Sequence, residues 1–252
     1  MTRMLPAVLL ALLLAAPAQA KAPTASEVEA MLLRAEGEGR TRLDEARAHT
    51  AAEEEALSTA KAQLDGAKQA AAAAAARIGS AKAEARATRS ELKAAQRVGD
   101  DTAARALTER VDQTERVLAW RIARRKAMDK RVTFQTRLLA QKKADVAFAE
   151  AQQAHTELEV YALLMGDSAD AAVEVGKALG KLGSAQRKAA SKNLAAVKAR
   201  TTWQLADEAA AALTPEDTAE ALLAAREVQL LDLLGLLGHY TPCVHTLSSP
   251  PS

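Results

Sequence analysis

Three groups of side chains in this sequence carry atoms that could do chemistry. His239, Cys243 and His245 lie close together and hold metal-ligating atoms. Their spacing matches no structural zinc pattern, and the prolines around them at 242, 250 and 251 make a poor scaffold for a rigid ligand set. Cys243 reads instead as a free or intermolecularly paired thiol. Glu53, Glu54 and Glu55 are adjacent carboxylates, but a charge run on a helix surface serves solubility before catalysis. The sequence holds no Ser-His-Asp grouping, no HExxH and no Gly-rich phosphate loop. The expectation is therefore a protein that is not an enzyme and that uses no cofactor and no metal.

The third group is cationic. Between residues 175 and 206 stand seven basic residues and no acid: Lys177, Lys181, Arg187, Lys188, Lys192, Lys198 and Arg200. One reading is an external anionic partner, such as a phospholipid or lipopolysaccharide surface. The other is internal. Residues 26–55 hold nine acids and four arginines, and a bundle that folds back on itself would place Lys188 and Lys192 level with Glu53–Glu55. The internal complement is the favoured expectation, and peripheral contact with an anionic membrane is the lesser one. Exposed pairs of this kind are worth only about 0–1 kcal/mol each, so they set register more than stability.

The elements that carry these groups follow from composition. The chain has 252 residues, with 49% hydrophobic but only 2% aromatic residues, and one Cys. Roughly a quarter is Ala and about an eighth Leu, well above ordinary usage. Strong helix formers dominate, and so few aromatic and β-branched residues leave little to build a sheet. Lys and Arg number 34 against 32 Asp and Glu, so the overall balance gives no reason to bind nucleic acid.

The first twenty residues have the form of a secretory signal. Arg3 supplies the positive end, 5–16 an apolar stretch, and Ala18-Gln19-Ala20 a small-x-small cleavage pattern. The segment from Met4 to Ala20 carries two prolines, Pro6 and Pro17, and at about 17 residues is at the lower limit for spanning a bilayer. The expected mature chain begins at Lys21 in the periplasm or outside the cell, with no lipid-accepting Cys behind the cleavage site.

Breakers after that point cluster. Ser26 reads as a helix cap, and turn signals follow at 98–101, 165–168 and 214–217. They divide the chain into expected helices over 26–97, 102–164, 168–213 and 215–237. The first would reach about 105 Å, which calls for a coiled coil or extended bundle. Its heptad supports this. Leu43, Thr50, Leu57, Leu64, Ala71, Ile78, Ala85 and Leu92 recur at one core position, with Ala46, Glu53, Ala60, Ala67, Ala74, Ala81, Thr88 and Ala95 at the other. In the second helix the same step runs Ala104, Val111, Leu118, Arg125, Val132, Leu139, Val146, Gln153 and Val160. A tight turn near Gly99 makes the two antiparallel, and residue x then stands about level with residue 199 − x. The run 70–76 of seven alanines would face 123–129, beside Trp120, Arg121, Arg124 and Arg125. Gly176, Gly180 and Gly183 share one face of the third helix and suggest close helix approach. The expected fold is all-α. A long antiparallel coiled-coil hairpin (21–164) has a third and a short fourth helix packed at its base (165–237) and ends in a disordered tail (238–252). The fourth helix, with its VQLLDLLGLL stretch at 228–237, would fold back over the open end of the bundle.

These readings point to an exported coiled-coil protein with a structural, scaffolding or adaptor role in the bacterial cell envelope. Its partners would be envelope proteins, with self-association through the coiled coil as a further possibility. The alternative is a periplasmic holdase-type chaperone with long helical arms. In general shape (exported, Ala-rich, long-armed) the chain resembles the Skp-type periplasmic chaperones. It differs from them in having no strand-forming segment for a trimerising body and a less basic balance.

Overall fold

The structure is a computed structural model that describes residues 24–33, 35–166 and 169–214. The readings of 1–20 as a signal, 215–237 as a fourth helix and 238–252 as a tail lie outside the described residues. Among the described residues the fold is all-α: α1 (Ala25–Leu32), α2 (Gly37–Val98), α3 (Asp101–Met165) and α4 (Ala169–Ala211). The chain divides into two compact units, 1–50 with 148–185 and 51–147 with 186–252, and each is described by itself.

In the first unit, the helix expected over 26–97 is two helices. α1 ends at Leu32, and α2 starts at Gly37 with φ +57°, a backbone angle that glycine adopts without a Cβ clash. The heptad began only at Leu43, so no periodicity carried the helix across the Glu36-Gly37-Glu38-Gly39 stretch. The cap of α1 is also two residues earlier than expected. Thr24, not Ser26, accepts the Glu27 amide at 3.3 Å, and the Glu27 carboxylate accepts the Thr24 amide at 2.7 Å. This reciprocal box satisfies two amides at once. The break lets Leu32 and Ala35 join Leu43, Val160, Tyr161 and Ala171 in one buried cluster, with Leu43 fully buried. Arg42 bonds Glu159 and Arg47 lies 3.9 Å from Glu157, so α2 and α3 pair in antiparallel register here. Gly166, at φ +71°, makes the turn expected at 165–168.

The second unit holds the other part of the hairpin. Gly99 turns the chain at φ +77°, and the Asp100 amide reaches back to the Ala95 carbonyl at 3.2 Å, closing α2 in a Schellman-type end. Asp100 then caps α3: its carboxylate accepts the Ala103 amide at 3.0 Å. Asp101, one residue before the expected start of this helix at 102, is the first helical residue and contributes its charge to the first turn. Every heptad position of α2 from Glu53 to Ala95 is buried or half-buried. Across the seam, Arg89 meets Glu115 at 2.7 Å, Arg110 meets Glu91 at 3.7 Å and Lys142 meets Glu53 at 3.1 Å. Each partner falls within about five residues of the level expected for an antiparallel pair turned at Gly99.

The seam is mostly alanine. Ala60, Ala67, Ala81 and Ala85 of α2 and Ala127 and Ala144 of α3 are buried, with Leu64, Val111, Val117, Trp120, Met128 and Val146 between them. Small residues bring helices close and are matched where they meet a large side chain. Ala70 and Ala74 stand against Trp120, Arg124 and Met128 around a cavity of about 20 Å³, room for about one water. The two threonines in the seam are satisfied: Thr88 donates to the Glu84 carbonyl at 3.0 Å and Thr114 to the Val111 carbonyl at 3.0 Å. One expected α3 position fails. Arg125 is exposed, and Arg124 and Met128 turn inward in its place. Arg124 can lie inward because its guanidinium bonds the Asp207 carboxylate, whereas Arg125 reaches its helix neighbour Asp129 at 3.5 Å and stays in solvent.

Candidate interaction surface

α4 continues the pattern of the hairpin inside out. In the second unit its inward stripe is Ala189, Ala195, Ala196, Ala199, Trp203, Ala206 and Ala210, of which Ala196 and Ala210 are almost fully buried. Its large aliphatic residues point the other way. Leu194 is 57% exposed, Val197 53% and Leu205 62%. Helical spacing puts these three on one stripe with Ala190 and Thr201.

Three interactions hold α4 to the hairpin. Arg124 of α3 donates to the Asp207 carboxylate at 2.5 Å. The Phe134 and Trp203 rings stack with centroids 5.6 Å apart and planes 6° from parallel. The Arg131 guanidinium lies 5.6 Å from the centre of the Trp203 ring. Such a contact contributes roughly 0.5–2 kcal/mol, more as it loses water. The burial leaves the Trp203 Nε1, the Arg131 Nε and the Gln135 Oε1 without hydrogen-bond partners. Sequence reasoning passed over this anchor. The available signals were a lone Trp in an Ala-rich helix and an Asp at the end of a basic run.

The seven cations fall on this helix unevenly. Arg187, Lys188, Lys198 and Arg200 are exposed in the second unit, and Lys192 is half-buried. In the first unit Lys181 is exposed, and Lys177 is exposed and bonds its own helix neighbour Glu174 at 2.7 Å. The internal complement expected for Lys188 and Lys192 does not form. Glu53 is taken by Lys142 of α3, which stands directly across the seam, and among the described residues neither lysine of α4 reaches an acid. The glycines also depart from expectation. A Cβ on Gly176 or Gly180 would meet nothing within 4 Å, so neither serves a close approach, and nothing in the structure explains them. The inward positions of this stretch are Ala171 and Ala178, at a different angle on the helix.

The surface offers an apolar stripe of three large side chains, with Arg187 and Lys198 along one flank and Arg200 along the other. Among the described residues no group of His, Cys, Asp or Glu is arranged to hold a metal ion. No helix of the described residues is long and apolar enough to cross a membrane. No family model, no curated protein and no solved structure matches this chain.

Proposed function

We propose that this chain is an exported coiled-coil protein with a scaffolding or adaptor role in the bacterial cell envelope, not an enzyme. The observation that carries the reading is the outward stripe of Leu194, Val197 and Leu205 between cations that have no acid beside them among the described residues. Large apolar side chains turned out of a helix layer whose inner face is alanine suit a protein partner. The secretory pattern of 1–20 supports the envelope or the outside as the compartment. The cations favour an acidic protein partner, with an anionic lipid surface as the lesser candidate.

Affinity purification from envelope fractions tests the reading. The wild type should bring down a fixed partner, and Leu194→Asp with Leu205→Asp should lose it. The exposed stripe also keeps the holdase alternative in play, since apolar surface can hold an unfolded chain. That alternative expects suppression of aggregation of an unfolded outer-membrane protein, with no fixed partner. Strong sedimentation of the wild type with anionic vesicles, and no protein partner, would point to the lipid surface instead.

A further inference from the structure

The outward stripe of α4 has a match in the same chain. Thr214 closes α4, with its amide donating to the Ala211 carbonyl at 3.0 Å, and Pro215 follows at once. A helix that started directly after Pro215 would be brought back alongside the helix it left. Residues 216–237 number 22, enough for about 33 Å if helical, which spans α4 back past Leu194. The helical repeat puts Leu223, Leu230, Leu234 and Leu237 on one stripe. Counted back from such a turn, Leu205 would stand about level with Leu223, Val197 with Leu230 and Leu194 with Leu234. Charge agrees with this placement. The segment holds five acids (Glu216, Asp217, Glu220, Glu227 and Asp232) against Arg226 alone. Residues 186–211 hold five bases against Asp207 and Glu208. A second copy of α4 would be a poor occupant of the same stripe, because residues 175–206 carry seven bases and no acid and two such faces repel.

We propose that residues 216–237 dock on the outward face of α4, setting their leucine stripe against Leu194, Val197 and Leu205 and their acids beside Lys198 and Arg200. An envelope partner then competes with the chain's own acidic segment for this face. The docking itself does not depend on such a partner existing, so its test and the partner search can fail separately.

The test uses the full chain with Cys243→Ser, Val197→Cys and Leu230→Cys, treated with a short bismaleimide. A control carries Thr202→Cys in place of Val197→Cys. Thr202 is exposed on another side of α4 at nearly the same chain distance from residue 230, so random encounter is about equal. Docking expects a link within one chain that forms about tenfold faster for the Val197 variant than for the control, because the docked segment raises the local thiol concentration. Lys198→Glu with Arg200→Glu should remove most of that advantage, and adding Glu227→Lys should restore part of it. Equal rates for the two cysteine positions overturn the proposal, as does a rate that ignores the charge reversal. A link between two chains, seen as a dimer on a denaturing gel, overturns it in favour of a second copy. Circular dichroism of each variant checks that the helices remain. All the substituted α4 positions are exposed, so their loss of docking is separable from unfolding.

Discussion

The α2–α3 seam and α4 are built from the same few residue types and use them in opposite ways. In the seam, alanines and the occasional large residue share one buried stripe, and the charges lie on the flanks, paired across the helices. In α4 alanines and Trp203 go in, and Leu194, Val197 and Leu205 go out. The difference follows from what each helix has on its other side. α2 and α3 have each other along a continuous heptad, so every large apolar residue on the stripe finds a partner. α4 lies on a surface already filled, and the close approach allowed by Ala196 and Ala210 is fixed by a few strong contacts at Trp203 and Asp207. A hydrophobic residue is thus not a core residue by type; the space across from it decides.

The largest test of this contrast is truncation. Leu64→Ala, in the seam and 7% exposed, should cost about 3 kcal/mol, the lost transfer energy together with a cavity. Urea unfolding followed by far-UV circular dichroism measures it, and a loss under about 1 kcal/mol would mean that the seam is not tightly packed. Enlargement is the next test. Ala81→Leu, at a position 3% exposed, should destabilise by about 2 kcal/mol, because the helices are set at the spacing alanine allows. A neutral or stabilised variant would show that the seam has slack.

Smaller effects sharpen the α4 side. Gly180→Ala should raise stability by about 1 kcal/mol, since its Cβ meets nothing and the helix interior gains a better helix former. A loss in the same unfolding measurement would reveal a close neighbour at this glycine. The smallest effect belongs to Leu179→Ala, 56% exposed on α4, which should move global unfolding by no more than about 0.5 kcal/mol. A loss as large as that of Leu64→Ala would erase the distinction between the two regions.

Much of the fold was legible in the residues. The turns at Gly99 and Gly166 were marked by glycine beside a capping acid, and the Leu/Ala heptad located the buried face of α2 from Leu43 onward. Errors gathered where two local signals competed. Thr24 with Glu27 and Ser26 with Glu29 both fit a capping box, and spacing alone did not choose between them. Asp100 and Asp101 are likewise neighbours, and the choice turned on which backbone left the helix at Gly99. The break at 33–36 was visible as Gly37 and Gly39, but the period-seven pattern offered no evidence there in either direction.

The candidate surface was half legible. The seven basic residues stood out, yet their surroundings did not follow from charge counting. Glu53 had two possible cations, one on each neighbouring helix, and geometry across the seam gave it to Lys142. The Trp203 anchor was hidden because a stack needs Phe134 and Arg131 from another helix, and no spacing within α4 reports them.

By itself, the sequence determined that the chain is helical, where it turns and which stripe of α2 is buried. These properties rest on backbone preference and on a period that one helix carries alone. Tertiary structure alone decided which face of α4 points outward, which acid each cation meets and where Trp203 lodges. Those outcomes depend on the shape and charge of a second surface, which residues far apart in the chain build together.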